Sequence, residues 1–296
     1  MKIGIDLGGT KIDGVVLSPA GDAIFEMRLP TPGSYDAVIA AIAEIVAKAR
    51  GVAGGAATVG MGSPGSRSPK TGLWRNSNLH FCNGRQFPED IAAALGSDLR
   101  IENDANCFAL SEALDGAGRG HDMMVFFTIG TALGGGLVIG GKLRSGRNAE
   151  AAEFGHIPLP SPNESEWPLQ QCFCGKMGCC EIFVSGTGLA RDYAKVNGVT
   201  VSGKEIVARA RTGEAAAKAA LTRLQDRFAR VAATLVNIMD PDIFVIGGGL
   251  SALPELVEEM PPLVAGHTCS GSAAVKFARA AFGEKSGARG AAQLWD

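Results

Sequence analysis

The first apolar runs of the chain are short and are separated by turn residues. They predict β-strands at residues 2–7, 12–17 and 22–29, with a glycine-rich turn at residues 8–11 between the first two. Apolar positions at helical spacing then predict an amphipathic helix at residues 35–50. A three-stranded unit followed by a crossing helix is therefore expected at the start of the fold.

The next elements lead to a polar pair at a strand end. A strand is predicted at residues 58–61, and a loop rich in Pro, Gly and Asn at residues 62–87. A short strand at residues 99–102 leads into the pair Asn103–Asp104, after which residues 105–113 favour a helix. The polar pair should lie where the strand passes into the helix.

The second half of the chain repeats the opening pattern. A strand is predicted at residues 123–129, a glycine-rich turn at residues 130–136, a strand at residues 137–139 and a hairpin at residues 140–141. The recurrence indicates a duplicated three-stranded unit.

The last part of the chain continues the alternation of strands and helices. We predict a long helix within residues 215–239, a strand at residues 243–246, a glycine turn at residues 247–249 and a terminal helix at residues 288–294. This order of elements is typical of an α/β protein.

The length of the chain favours two lobes. Its 296 residues correspond to one large or two ordinary domains, and the two glycine-rich turns lie far apart. We predict a small lobe at residues 1–115 and a large lobe at residues 116–296, with the final helix packing back on the small lobe.

The composition describes a folded protein with a small-molecule partner. Hydrophobic residues make up 46% and charged residues 20%, and the mean hydropathy is +0.13. The 28 basic and 30 acidic residues give a net charge of -2, with no long run of one sign to bind nucleic acid or a membrane. The amino terminus lacks the pattern of a signal peptide, and no apolar run approaches the roughly 20 residues of a membrane helix. A cytoplasmic location is expected.

The turn after the first strand has the composition of a phosphate-binding loop. Gly8 and Gly9 let backbone amides approach phosphate oxygens, Thr10 and Lys11 add donors, and Asp6 at the strand end can hold hydrated Mg²⁺. It is not a Walker motif, and an ordinary hairpin turn would explain the same residues.

Two later glycine turns could bind other parts of a nucleotide. The turn at residues 130–136 matches the first loop and would contact phosphate, although packing could also explain its glycines. The turn at residues 247–249 follows a strand end, where an adenine or ribose could lie, although a helix-entry turn is an equal explanation. The residues that these turns would contribute are Thr131, Ala132, Gly134, Gly135, Gly136, Gly247, Gly248 and Gly249.

Asp104 has two interpretations. Phosphoryl transfer requires mainly positioning and a carboxylate that accepts the hydroxyl proton, which suits Asp104 as a general base. Its local sequence favours a helix cap instead.

A cluster of cysteines and one histidine predicts a zinc site. His156, Cys172, Cys174 and Cys179 form a Cys₃His set, and the glycines between the cysteines allow a tight loop. Buried free cysteines are the alternative. Cys180 is the remaining thiol and should point elsewhere.

The residues around this cluster could also bind a sugar. His156 has a second ring nitrogen that could reach a sugar hydroxyl while the other holds the metal. Glu153 and Glu181 flank the cluster as hydroxyl acceptors.

Together these motifs resemble the ROK family of sugar kinases, repressors and related proteins. The resemblance extends over essentially the whole chain, in the family's order, and includes residues 62–65, Asn78 and residues 289–292. It implies a two-lobed, actin-like and hexokinase-like (ribonuclease H-like) α/β fold, ATP, Mg²⁺ and Zn²⁺ as cofactors, and a homodimer.

The resemblance also assigns roles to residues. It makes Asp104 the general base. The sugar contacts that it implies are Gly62, Ser63, Asn78, Asn103, Glu153, His156 and Glu181. The second phosphate loop departs from the family pattern, because Ala132 replaces a usual glycine. If that position needs a positive φ, ATP affinity is in doubt.

The resemblance implies an ATP-dependent hexose kinase. Residues 68–78 are most similar to the fructokinase or mannofructokinase branch, which makes a fructokinase that forms fructose 6-phosphate the expected activity. N-acetylglucosamine kinase is the alternative, and Trp74 or Phe81 could exclude the acetamido group unless they pack under the loop as core. A ROK-type regulator is a different class, but no room exists before Asp6 for a DNA-binding segment. An actin-like ATPase is a third class. The predicted zinc cluster lies beside acidic residues suited to bind sugar hydroxyls, which disfavours this class.

Overall fold

Two five-stranded β-sheets, a two-stranded β-sheet and eight α-helices are present in the computed structural model, which describes residues 1–54 and 57–296. The strands are β1 (Lys2–Leu7), β2 (Lys11–Leu17), β3 (Ala23–Pro30), β4 (Thr58–Ser63), β5 (Ser66–Arg67), β6 (Trp74–Arg75), β7 (Arg100–Asn103), β8 (Met123–Ile129), β9 (Leu133–Ile139), β10 (Lys142–Leu143), β11 (Ile243–Gly247) and β12 (Phe277–Arg279). The helices are α1 (Tyr35–Ala53), α2 (Phe87–Leu95), α3 (Asp104–Leu114), α4 (Gly186–Asn197), α5 (Gly203–Arg211), α6 (Ala215–Met239), α7 (Met260–His267) and α8 (Ser286–Ala292).

The first sheet has the strand order β3-β2-β1-β4-β7. Strands β1 to β3 form an antiparallel meander, and β4 and β7 continue the sheet parallel to β1. The carboxyl ends of β1, β4 and β7 therefore lie along one edge, which is where ligands bind in open α/β sheets.

Each face of the first sheet packs against helices. Ile3, Ile5 and Ile12 contribute to a buried cluster with Ile42 and Ile45 of α1. The apolar spacing that predicted α1 therefore marks the side of the helix that is buried against the sheet.

Helix α8 lies directly on the opposite face. A Cβ built on Gly4 would lie 1.9 Å from the carbonyl oxygen of Ala288, and one on Gly60 would lie 1.8 Å from that of Ala291. Only glycine permits this approach, since any side chain would collide with helix backbone.

The second sheet repeats this arrangement with the order β10-β9-β8-β11-β12. Strand β11 is parallel to both β8 and β12. Helix α6 packs against this sheet. The ring centroids of Phe127 in β8 and Phe228 in α6 lie 5.1 Å apart. The predicted duplication of a three-stranded unit is confirmed by the matching strand order.

Several elements were not predicted. Helix α2 begins inside the predicted 62–87 loop, although Pro88, Glu89 and Asp90 in its first turn and Gly96 at its end are ordinary helix signals. The strands β5, β6 and β12 and the helices α4, α5 and α7 were also missed.

Internal contacts divide the chain into two compact units. The first comprises Met1–Arg119, Gly136–Ala151 and Ala281–Asp296, and the second comprises Gly120–Gly135 and Ala152–Ala280. The predicted domain boundary at residue 115 stays a prediction. Within residues 1–54 and 57–296, no helix combines the length and apolar character needed to span a bilayer.

One buried carboxylate joins distant segments of the first unit. Glu112 is completely buried, and its side chain accepts hydrogen bonds from the backbone amides of Ala117 (3.0 Å), Ala281 (2.8 Å) and Phe282 (3.2 Å) and from Ser286 Oγ (2.8 Å). These donors replace the water that a buried carboxylate loses.

Candidate active site

The predicted phosphate loop is the exposed turn between β1 and β2. Gly8 N donates to Lys11 O (2.9 Å), and Thr31 holds the turn through Oγ1 to Gly8 O (2.8 Å) and through its amide to Thr10 O (3.0 Å). Gly9 and Thr10 are exposed, and Asn78 Nδ2 lies 3.8 Å from a Cβ built on Gly9. The structure thus brings Asn78 to the first loop.

The side chain of Lys11 is engaged by acidic residues. Its Nζ lies 2.6 Å from Glu284 Oε2 and 3.5 Å from Asp13 Oδ2. Glu284 is absent from the predicted site, because no local sequence signal links residues that are 273 positions apart. Both acidic groups would compete with a phosphate for Lys11.

Asp6 lies at the end of β1, directly opposite Asp13 in the register with β2. Burial raises the pKa of Asp6 to about 7, with the carboxylates of Asp104 and Asp13 contributing and Lys11 opposing the rise. An added positive charge at this position would favour the ionised form, so the group fits the predicted contact with Mg²⁺.

Asp104 is the first residue of α3, and the helix cap is its neighbour. Asn103 Oδ1 accepts hydrogen bonds from the amides of Ala105 (2.9 Å) and Asn106 (3.4 Å). Asp104 Oδ1 also accepts from the Ala105 amide at 2.9 Å. Burial raises the pKa of Asp104, and this backbone hydrogen bond opposes the rise. The capping function that local sequence assigned to Asp104 is therefore supplied by Asn103.

Gly62 allows α3 to approach the sheet. A Cβ on Gly62 would lie 3.2 Å from Cys107 Sγ and 3.5 Å from Asp104 Cα. Ser63 is completely buried, and Trp74 Nε1 donates to the following carbonyl, Pro64 O, at 2.9 Å. The predicted sugar contacts of Gly62 and Ser63 stay predictions.

The second glycine loop follows β8 in the second unit. Gly130 N donates to Ala132 O (3.0 Å), and the start of α4 supports the loop through Gly186 N to Gly130 O (2.6 Å) and Thr187 Oγ1 to Thr131 O (2.8 Å). Ala132 is exposed and does not have a positive φ. The backbone strain considered for Ala132 is therefore absent.

Packing explains two glycines of this region. A Cβ on Gly135 would lie 2.5 Å from Ala152 O, and a Cβ on Gly136 would lie 2.4 Å from Ala109 Cβ. Gly134 is partly buried. The three remain predicted phosphate contacts, but Gly135 and Gly136 are also required by their neighbours.

The third glycine turn lies beside the second loop. Gly247 ends β11 opposite Thr128 of β8, and Leu250 N donates to Ile129 O at 2.9 Å. The strands are parallel, so both turns follow carboxyl ends at one edge of the sheet. Gly248, with φ 81°, packs against β8, because a Cβ built on it would lie 2.7 Å from the carbonyl oxygen of Ile129. Gly249 is exposed, with no atom within 4 Å of a Cβ built on it, and leaves a surface without a side chain.

The ligand atoms of His156, Cys172, Cys174 and Cys179 all lie within 4.8 Å of one another. His156 Nδ1 is 3.6 Å from Cys172 Sγ, and the sulfur atoms of Cys174 and Cys179 are 3.6 Å apart. Ligands of a tetrahedral zinc ion are separated by about 3.5–3.8 Å, given bonds of about 2.0–2.3 Å. The four residues therefore fit Zn²⁺.

Cys180 lies outside this cluster. Its Sγ points to Pro158 O at 3.6 Å, and burial raises the pKa of its thiol to about 12. Its thiol is therefore not among the four ligand atoms that lie close together, as the sequence predicted.

The predicted sugar-binding acids flank the cluster. Cys172 Sγ lies 3.5 Å from Glu181 Oε1, and the amide of His156 donates to Glu153 O at 3.0 Å. Glu153 is exposed and Glu181 is partly buried. The second unit thus gathers three of the predicted sugar contacts at the candidate metal site, with His156 belonging to both sets.

Comparison with known proteins identifies the family. The pattern of the ROK family matches residues 2–296. The chain belongs to the ROK family. It is 36% identical over 299 residues to the N-acetyl-D-glucosamine kinases of Escherichia coli (strain K12 / DH10B) and Salmonella heidelberg (strain SL476), with 99% of each chain covered.

Solved structures agree with this assignment. The ROK hexokinase from Thermus thermophilus aligns with a TM-score of 0.85 at 29% identity, covering 99% of this chain and 97% of that one. A ROK family glucokinase from Streptomyces griseus, in complex with glucose and AMPPNP, aligns with a TM-score of 0.76 at 30% identity and covers 99% and 98%. The predicted hexokinase-like fold and the predicted class, an ATP-dependent sugar kinase, are confirmed.

Proposed function

We propose that this enzyme is an N-acetyl-D-glucosamine kinase that transfers the γ-phosphoryl group of ATP to the 6-hydroxyl of the sugar. The observation that carries the proposal is the 36% identity, over 99% of both chains, to kinases of that name. These relatives favour the alternative from the sequence over the fructokinase assignment.

The packing of the 62–87 loop supports the same choice. Trp74 is 2% exposed and its ring lies 5.8 Å from that of Phe87, while Phe81 packs against the same cluster. Trp74 therefore packs as core under the loop and does not provide the steric barrier to an acetamido group on which the preference for fructose partly depended, and Phe81 is partly buried against the same core.

In the proposed reaction, Asp104 accepts the proton of the 6-hydroxyl as the oxygen attacks the γ-phosphorus and the bond to the β-phosphate oxygen breaks. Its position at the start of α3 is fixed by the Asn103 cap, and its raised pKa makes it a stronger base than an ordinary aspartate. In the first unit, backbone amides of the loop at residues 8–11 would hold phosphate oxygens, and the loop at residues 130–136 stays a separate predicted phosphate contact. Bound Mg²⁺, near Asp6, would neutralise phosphate charge.

Glu153, His156 and Glu181 would bind the other hydroxyls of the sugar. Zinc held by His156 and the three cysteines would orient the imidazole and shape this loop. These roles, the homodimer and the cytoplasmic location remain predictions.

The proposal is tested by ADP release from the purified enzyme with N-acetylglucosamine, glucose, mannose and fructose, and with no sugar. We expect kcat/KM for N-acetylglucosamine to exceed that for fructose by about 10-fold or more, because a site that pairs a polar group discriminates against sugars lacking it. A higher kcat/KM for fructose would restore the fructokinase assignment. ADP release that is independent of sugar would indicate an ATPase instead.

A further inference from the structure

We infer that Glu102 is a positioning residue that holds the proposed base Asp104 in place, together with Ser145. Glu102 is the third residue of β7, two positions before Asp104, and it is partly buried. The inference rests on the proposed role of Asp104.

The Glu102 carboxylate connects three segments of the first unit. Its Oε1 accepts from the Asn103 amide (2.9 Å) and from Asn106 Nδ2 (3.1 Å), and its Oε2 accepts from Ser145 Oγ. The end of β7, the first turn of α3 and the segment after β10 are thereby joined by one side chain.

Asp104 lies between two residues that donate hydrogen bonds to Glu102. Asn103 and Asn106 bracket it in sequence, and the side chain of Asn106 is buried. Hydrogen bonds that end on an ionised carboxylate are stronger and shorter than neutral ones. Rotation or translation of the first turn of α3 would break them, so they limit the positions that the Asp104 carboxylate can adopt.

The Glu102 hydrogen bonds, which we call the Glu102 anchor, extend through Ser145 to a turn that has hydrogen bonds of its own. Ala151 N donates to Ser145 O at 3.2 Å, and Ala149 N donates to Gly146 O at 3.2 Å. The backbone of the 145–151 turn therefore holds the hydroxyl that binds Glu102.

Loss of this anchor should lower kcat more than it changes substrate binding. A displacement of a reacting group by about 1 Å can cost about 100-fold in rate. We expect Glu102→Ala to lower kcat by about 10–100-fold, with KM for ATP within about 3-fold of wild type.

Glu102→Gln is the conservative variant. Its oxygen can still accept from both Asn103 and Asn106, and its amide can donate to Ser145 Oγ, because a hydroxyl both donates and accepts. Most of the kcat lost in the alanine variant should therefore be recovered. Ser145→Ala removes one anchor and should lower kcat by about 3–10-fold.

The experiment measures kcat, KM for ATP and sugar, Tm, and hydrogen exchange of the amides at residues 104–107 in these variants. Glu44→Ala, which removes an exposed carboxylate on α1, is the matched control and should match wild type. Faster exchange in Glu102→Ala, reduced kcat and recovery in Glu102→Gln would support the inference.

Three results would overturn it: normal kcat in Glu102→Ala, a loss explained entirely by a lower folded fraction, or a glutamine variant as impaired as the alanine variant. If Glu102→Ala does not fold, Ser145→Ala decides by the same measurements. If wild type phosphorylates no hexose, the proposed function fails, and hydrogen exchange alone then decides whether Glu102 anchors α3.

Discussion

Replacement of Asp104 by Asn tests the proposed base with little change of shape. Asparagine keeps an oxygen that can accept from the Ala105 amide, and the cap of α3 belongs to Asn103, so both helix contacts remain. The burial that raises the pKa of Asp104 also makes a neutral side chain acceptable there. We therefore expect Tm within about 4 °C of wild type, since a stability change below about 1 kcal/mol shifts Tm by no more than that in a protein of this size.

The expected loss is in kcat. General base catalysis contributes about 10²–10⁴-fold, which corresponds to about 2.7–5.5 kcal/mol of transition-state stabilisation. The substitution removes only the proton acceptor, so kcat should fall by at least about 10²-fold while KM for ATP changes little.

The pH dependence supplies a second readout. A base acts only when it is unprotonated, so kcat/KM of wild type should fall as the pH is lowered through the pKa of Asp104. Because burial raises that pKa, the acid limb should lie above the ordinary aspartate range of about 3.9. The residual activity of Asp104→Asn should lack this limb.

Coupled ADP release with the preferred sugar and saturating ATP gives these values. Asp98→Asn is the control, because it makes the same change at an exposed residue just before β7. A kcat for Asp104→Asn within about 3-fold of wild type, in protein with unchanged Tm, would refute the role of Asp104 as the base.

Four further predictions follow from other parts of the structure. Cys174→Ser should lower the zinc content measured by elemental analysis and raise the sugar KM, whereas Cys180→Ser should change neither; absence of zinc from wild-type protein prepared without chelator would contradict this. Glu112→Gln should lower the free energy of unfolding by about 2–4 kcal/mol in thermal denaturation, because one buried oxygen that accepts hydrogen bonds is replaced by an NH₂ group that faces N–H donors. An unchanged Tm would refute the role of the Glu112 carboxylate in stabilising the first unit. The raised pKa of Asp6 means that the folded state binds a proton more tightly than the unfolded state, so this residue's stabilising contribution is lost as pH rises through about 7. Asp6→Asn should therefore raise Tm more at about pH 8 than at about pH 5, and equal shifts would contradict it. Ala132→Gly should change KM for ATP by less than about 3-fold, because Ala132 is unstrained, and a large decrease would show that glycine is needed there.

The sequence by itself determined the features that depend on local pattern. Apolar alternation and spacing located β1, β2, β8 and α1 to within a few residues, because each element displays the period of its buried face. The Cys₃His grouping was also readable, since three of its members lie within eight residues of one another, and the structure brings all four ligand atoms together.

Only the tertiary structure decided which side chains meet across long separations. Trp74 could have faced a sugar or the core, and its place under the loop is decided by packing against Phe87. The sequence placed the cap of α3 at Asp104, whereas the backbone geometry at the end of β7 makes Asn103 the cap.

The distant partners of charged side chains were likewise invisible in the sequence. Glu102 meets Ser145, Glu112 meets Ala281, and Lys11 meets Glu284, over separations of 43, 169 and 273 residues. The local sequence pattern indicates which residues are buried or adopt a particular backbone conformation. Which donor satisfies a carboxylate is decided only when packing brings distant segments together, because the energy of leaving it unpaired depends on the complete surroundings.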